Sequence, residues 1–369
     1  MAVSESDWNT SYDVLCQLLV STIDESATIG AFSKVNWLEV KDLAAAQGVL
    51  AFAWEGVLEL LQRGEVSVDA IGEDLYYAWL GQVMLIEKGY EKLCGIATKM
   101  DGIASSSGVR ILMFKGLDLS RLYPCPNHRE FGDIDFFVLD GLSSRMEACL
   151  VSAGARIRTV GEKHSVLDFE DVVLENHFCF VWPFASRKLK RLEAFLKGTL
   201  PSASVLPGYS NVLSPSIGFD VAFVLAHAAG HLRTEGISLR HLLDWIVVEK
   251  RAISASVMQE LWDGIVQFGL DEFARILNCL GNEMLHADVP QQWCQCNPQL
   301  KERVKRDILY GSTEVCLSKS WLGVLWWKVS RFWHRMWTLP LVGMSMGCAL
   351  LRVVVSHLCM MKRSLSLKT

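Results

Sequence analysis

The sequence predicts an α+β fold in which a small mixed β-sheet is flanked by helices on its N-terminal side and by a helical bundle on its C-terminal side. Three observations carry this. Apolar residues recur at helical spacing through the first hundred residues, short β-branched and aromatic runs separated by turn residues fill the middle, and helical periodicity returns from Ser216. The organisation expected is a helical region at 1–105, an α/β core at 106–215 and a helical region with an aromatic and basic tail at 216–369.

In the first region Val14, Leu18 and Leu19, and then Leu50, Trp54, Val57, Leu58 and Leu61, mark helices, and Gly48, Gly64 and Gly72 punctuate them. A third helix is expected from Trp79 to about Ala104, ending at Ser105-Ser106-Ser107-Gly108. Residues 109–114 then read as a short buried strand that stops at Lys115-Gly116. Two turns of helix follow over 117–123, closed by Pro124 and Pro126. After the polar stretch 127–132, a second strand begins at Asp133. Residues 143–153 form a helix ending at Gly154, and two or more strands lie between Ala155 and Val181, because 172–181 alternates with period two. Amphipathic segments at 220–232, 238–250 and 256–285 complete the pattern. The most apolar stretch, 321–361, is interrupted by Lys328, Arg331, Arg335 and Arg352 and by Pro340, so it falls short of the ~20 apolar residues of a spanning helix.

Composition narrows the function. The 369 residues suggest two domains, or one core with a large appendage, at roughly 150 per domain. An apolar share of 51% with 21% charged residues excludes a disordered or collagen-like chain. Lys+Arg 36 against Asp+Glu 41 leaves a net charge of -5, which excludes bulk nucleic-acid binding through a global basic field. The 11 cysteines are odd in number and scattered, with only Cys294 and Cys296 close together, as expected of reduced thiols. Glu5, Asp7 and Asp13 precede any apolar run, unlike a signal peptide, so a cytoplasmic protein is expected.

The main chemical candidate is Asp133-x-Asp135. With 41 carboxylates in 369 residues, such pairs arise by chance about four or five times, so the setting decides. Residues two apart on a strand share a face, and this pair leads into a buried run. Two hard anions at one spot favour Mg²⁺, with Mn²⁺ as the alternative, and hence phosphoryl or nucleotidyl transfer. In 172–181, Glu175 and His177 fall on one face with Val173 and Cys179. Glu175 is then either a third metal ligand, a proton acceptor, or one residue on the solvated face of an edge strand. Lys115-Gly116 lies where a strand turns into a helix, a place suited to an anion, and Arg129 adds a positive charge from the following loop.

Phe114-Lys115-Gly116, Tyr123-Pro124, Arg129 and Gly132-Asp133-Ile134-Asp135 resemble the bacterial uncharacterised nucleotidyltransferase family, part of the DNA polymerase β-like superfamily. Glu175-Asn176-His177 resembles its third-carboxylate position, with Glu in place of the commoner Asp. His227-x-x-x-His231 and Leu239-Arg240-His241-Leu242-Leu243-Asp244 resemble its downstream helices. Leu117 departs from the hydroxyl or glycine usual after the turn glycine. The resemblance implies Mg²⁺-dependent transfer of a nucleoside monophosphate from an NTP to an acceptor hydroxyl, with pyrophosphate released. Asp133, Asp135 and Glu175 would hold the metal, and Lys115, Gly116, Arg129 and His177 would meet the nucleotide.

Two rival readings stay open: a catalytically silent nucleotide-binding or scaffold protein of the same fold, and an Asp-x-Asp glycosyltransferase, which would need a nucleotide-binding βα unit ahead of the motif. His227 and His231, at i and i+4, share a helix face and suit either a metal or neighbouring side chains. Arg240 and Asp244 have the spacing of an intrahelical ion pair. Trp321, Trp326, Trp327, Trp333 and Trp337 suggest an aromatic helix that either lies on the inner face of a membrane or packs on protein.

Overall fold

The computed structural model describes residues 5–23, 35–182, 186–311, 321–343 and 346–347. Ahead of the sheet the chain is helical: α1 (Glu5–Leu18), α2 (Val20–Ile23), α3 (Trp37–Ala46), α4 (Leu50–Gln62), α5 (Val68–Ile71) and α6 (Glu73–Ser107). The third predicted helix begins earlier than Trp79. Glu73 and Asp74 lie in the first turn of α6, where they complement the helix dipole, and Gly108 ends it in the left-handed conformation at φ 64°.

The middle contains β1 (Ile111–Phe114), α7 (Gly116–Ser120), β2 (Asp133–Val138), α8 (Ser143–Ser152), β3 (Arg156–Val160), β4 (His164–Phe169), β5 (Val172–His177), α9 (Arg187–Gly198), β6 (Ser204–Val205) and β7 (Val212–Ser214). The strands form one mixed sheet in the order β3-β4-β5-β2-β1-β7-β6. β1 runs antiparallel to β2 and parallel to β7, whereas β2 and β5 run parallel. β5 therefore sits inside the sheet, between β4 and β2, and is not the edge strand that one reading of its alternation allowed. It also stops at His177 rather than continuing to Val181. α9, β6 and β7 were not anticipated: β6 and β7 are too short to show a period, and α9 contributes few buried apolar residues, Leu192 and Leu196 among them.

After the sheet come α10 (Ile217–Thr234), α11 (Leu239–Ser254), α12 (Met258–Phe268), α13 (Asp271–Leu285), α14 (Pro298–Tyr310) and α15 (Trp321–His334), followed by a 3₁₀ stretch, Met336–Val342. Strand alternation sorts the sheet's side chains onto two cores. Ile111, Met113, Ile134, Phe136, Leu174 and Val212 face α6 and α8. Leu112, Phe114 and Leu213 face the opposite side, where helices from before and after the sheet share one apolar cluster containing Leu15, Trp54, Phe219, Phe223 and Leu243. Burying such side chains contributes about 1.5–3 kcal/mol each. Asp133 and Asp135 lie on this second face, toward α10.

No strand precedes Ile111 among the described residues, so the βα unit that the glycosyltransferase reading requires is not there. No helix among them is long and apolar enough to cross a membrane. In α15 and the turn after it, Trp326 and Trp333 are exposed, while Phe332 and Arg335 are buried. Arg335 is buried against Asp307 at 2.8 Å, and Arg331 donates to the carbonyl of Thr234.

Candidate active site

β1 is a four-residue strand of apolar side chains buried on both faces, and it ends where Lys115 turns the chain into α7. Lys115 adopts φ 61° and ψ -131°, a conformation that favours glycine. Its ammonium reaches back over the sheet to Asp135, with Nζ 2.8 Å from Oδ2. The next residue is glycine for a packing reason. A Cβ on Gly116 would lie 2.6 Å from Phe131 Cδ2, so the aromatic ring covers the face through which a phosphate was expected to approach.

The strand register aligns the acids. Across the sheet Phe114, Asp135, Glu175 and Val166 stand in one row. Asp133 lies two residues before Asp135 on β2, hence on the same face. A carboxylate oxygen from each of Asp133, Asp135 and Glu175 lies within 4.8 Å of the others. His177, next along that face of β5, places Nε2 2.8 Å from Asp135 Oδ1 and 3.4 Å from Glu175 Oε2. Between two carboxylates that nitrogen must carry the proton, so His177 donates to Asp135. Phe114 supports the imidazole edge to face, with ring centroids 5.1 Å apart.

These contacts set the charges. Burial works to raise the Asp135 carboxyl, but the Lys115 ammonium and the His177 hydrogen bond outweigh it and hold Asp135 well below the usual carboxylate range. The longer His177 contact to Glu175, 3.4 Å, against a smaller burial effect, lowers Glu175. Asp133 goes the other way: burial raises it first and the charge of Asp135 second, with Lys115 offsetting part of the rise. The three acids therefore differ in basicity although they share one site.

Sequence reading missed two members. Lys163, in the β3–β4 turn, is half-buried beside the acids; burial and then the Lys115 charge push its ammonium below the ordinary lysine value. Its carbonyl accepts from the Phe178 N–H at 2.8 Å, which fixes the turn against the end of β5. His164 follows, with Nε2 3.9 Å from Glu175 Oε1 and its ring 5.1 Å from that of His177. Pairing of β4 with β5 puts His164 opposite His177, a signal available only once the register is known.

Arg129 departs from expectation. It was read as a loop cation for phosphate, but its guanidinium is buried and makes a two-pronged bond to Asp244, Nε to Oδ1 at 2.8 Å and Nη2 to Oδ2 at 2.7 Å. Its Nη1 donates to the carbonyl of Gly116 at 3.3 Å, and Tyr123 donates to Asp244 Oδ1 at 2.8 Å. Arg129 thus ties the β1–α7 turn to α11. Arg240, expected to pair with Asp244, instead donates to the carbonyl of Glu130 at 3.1 Å. The turn, Asp133, Asp135 and the first turns of α11 line one half-open cleft whose far wall is formed by Phe223, His227 and His231 of α10.

The donor set suits a hard divalent cation: three carboxylates converge, and two of them, Asp133 and Glu175, are only partly buried, while Asp135 Oδ2 is paired with the Lys115 ammonium at 2.8 Å. The family model described as an uncharacterised nucleotidyltransferase matches residues 33–286 of the chain, a span that contains the sheet, all three acids, Lys115, Lys163 and the histidines of α10 and α11. No curated protein and no solved structure matches the chain.

Proposed function

The chain belongs to the uncharacterised nucleotidyltransferase family, and from that premise we propose that it transfers a nucleoside monophosphate from an NTP to an acceptor hydroxyl in a Mg²⁺-dependent reaction that releases pyrophosphate. The observation that carries this reading is the convergence of Asp133, Asp135 and Glu175 within 4.8 Å on one sheet face, with Asp133, Asp135 and Lys115 lining the adjoining cleft.

Asp133, Asp135 and Glu175 would hold Mg²⁺, which when bound neutralises phosphate charge in the transition state. The chain's own groups supply the rest. His177 orients Asp135 and Glu175 by standing between them. Lys115 and Lys163 place two positive charges beside the acids, where they offset the charge of a polyphosphate. In the metal-free site Asp133 is the acid that binds a proton most readily, because burial and the Asp135 charge raise it. Glu175, held low by His177, serves better as a ligand.

Specific observations favour a second reading, a nucleotide-binding protein without turnover. Phe131 covers Gly116, Leu117 offers no hydroxyl, and Arg129 is committed to Asp244. One experiment separates the two: incubate the protein with each α-labelled NTP and Mg²⁺, following label on co-purified or added acceptors and on the chain itself, and compare Glu175→Gln. Pyrophosphate release and label transfer, lost in the variant, support the transferase; Mg²⁺-dependent NTP binding without release supports the second reading.

A further inference from the structure

The far wall of the same cleft carries a second group of metal-binding side chains, made of nitrogen rather than oxygen. His227 and His231 lie one turn apart on α10, and His241 lies in the first turn of α11. One ring nitrogen from each lies within 4.8 Å of the others. The ring centroids are 4.5 Å apart for His227 and His231, 4.8 Å for His231 and His241, and 6.2 Å for His227 and His241. A tetrahedral ion at ~2.1 Å from three imidazole nitrogens would place the ring centroids roughly 5 Å apart, so the observed values bracket that spacing.

The surroundings orient two of the rings. His231 Nδ1 lies 3.4 Å from Glu235 Oε2, which leaves Nε2 for the cluster. His241 Nδ1 accepts from the Ser238 N–H at 3.1 Å and lies 3.0 Å from Ser238 Oγ, so the neutral ring carries its proton on Nε2, and that nitrogen becomes a ligand when the proton moves to Nδ1 and is donated to Ser238 Oγ. A carboxylate on the outer nitrogen, as Glu235 is for His231, is what metal-bound histidines use to fix their orientation. His227 stacks on Phe223, with centroids 5.8 Å apart. Burial keeps all three imidazoles in the neutral form that binds metal. A fourth histidine, His128, makes the contrast. It belongs to a cluster with Glu55 and Cys125, but both its ring nitrogens are taken, by Glu55 and by Glu87 at 3.0 Å.

We propose that His227, His231 and His241 form a site for a borderline divalent transition ion, best suited to Zn²⁺, whose fourth position opens into the cleft shared with Lys115, Asp133 and Asp135. Three imidazoles without a carboxylate ligand select against Mg²⁺, so the two walls of the cleft would sort cations by chemistry. This assignment stands on the histidine geometry and does not depend on the transfer reaction.

The test titrates Co²⁺ alone into the full-length, metal-stripped protein and follows visible absorption. The expected result is one equivalent bound with the intense band of tetrahedral cobalt, displaced by Zn²⁺, not displaced by Mg²⁺, and retained in Asp133→Asn. His241→Gln keeps a residue able to complete the helix cap, and His231→Gln alters a partly exposed position. Each should weaken Co²⁺ binding at least ~100-fold, the upper end of what losing an outer partner alone costs. Absence of the tetrahedral band in wild type, or its persistence in both folded histidine variants, would overturn the assignment.

Discussion

Asp135 and Glu175 stand directly opposite each other across the parallel β2–β5 pair, and a single nitrogen, His177 Nε2, lies between them. Like charges facing each other on neighbouring strands destabilise a sheet unless something bridges them. Asp133, two residues earlier, lacks such a bridge: burial and the Asp135 charge raise its carboxyl from the ordinary value.

The sign of the Asp133 shift makes a prediction about pH. A carboxyl raised in the folded state binds protons more tightly there than in the unfolded chain, so stability falls as pH rises through its folded value. Asp133→Asn removes that loss. Thermal unfolding at neutral pH without Mg²⁺ should show the variant melting no lower than wild type, and higher by a few degrees at most, while Mg²⁺-dependent turnover is lost. A clear drop in melting temperature would show that the Asp133 charge supports the fold.

Lys115 holds a backbone conformation that glycine adopts without strain, yet carries the charge paired to Asp135. Lys115→Gly and Lys115→Ala both delete the charge, but only the glycine relieves the backbone. Denaturant titration should find Lys115→Gly more stable than Lys115→Ala by about 1 kcal/mol or more. Activity should fall at least ~100-fold in both. Equal stability of the two would mean that the turn carries no strain.

The buried pair of Arg129 and Asp244 predicts a stability effect rather than a loss of phosphate affinity. Arg129→Met strands a buried carboxylate and should cost about 3–5 kcal/mol in urea unfolding. Adding Asp244→Leu should recover much of that, because the stranded charge is gone. A strictly additive double variant would contradict the pairing. The Asp244 carboxyl, which burial works to raise but Arg129 holds low, should also contribute stability that is lost as pH falls through its folded value.

Glu249, buried in α11, is raised by burial to about 8, with Asn278 donating to its Oε1 at 2.7 Å. The folded state therefore binds its proton more tightly than the unfolded chain. Its effect on stability is smallest below the ordinary glutamate value and grows unfavourable as pH rises toward about 8. Melting curves at pH 5 and pH 8.5 should show Glu249→Gln gaining relative to wild type at the higher pH. A gap independent of pH would place the Glu249 charge outside the core.

Much of the site was legible in sequence because its signals are local. A short apolar strand stopped at Lys115-Gly116, Asp133 and Asp135 opened the next one, and the period-two alternation put Glu175 and His177 on one face. What sequence could not supply were contacts made at a distance. Asp244 lies 115 residues beyond Arg129, so the burial of that guanidinium was invisible. Lys163 and His164 enter through the β4–β5 register, and His241 joins His227 and His231 only because α11 folds back on α10. β3 was covered only by the broad expectation of two or more strands between Ala155 and Val181: it is a largely exposed edge strand, Arg156–Val160, with no buried alternation to mark its bounds.

The most direct test is calorimetric titration of nonhydrolysable NTP analogues with Mg²⁺ into wild-type protein and into Asp133→Asn/Asp135→Asn. The account predicts saturable binding of at least one analogue that requires Mg²⁺ and disappears in the folded double variant. Binding of none of the four analogues to well-folded wild type, or equal binding by the variant, would contradict the claim that these acids form a metal–nucleotide site.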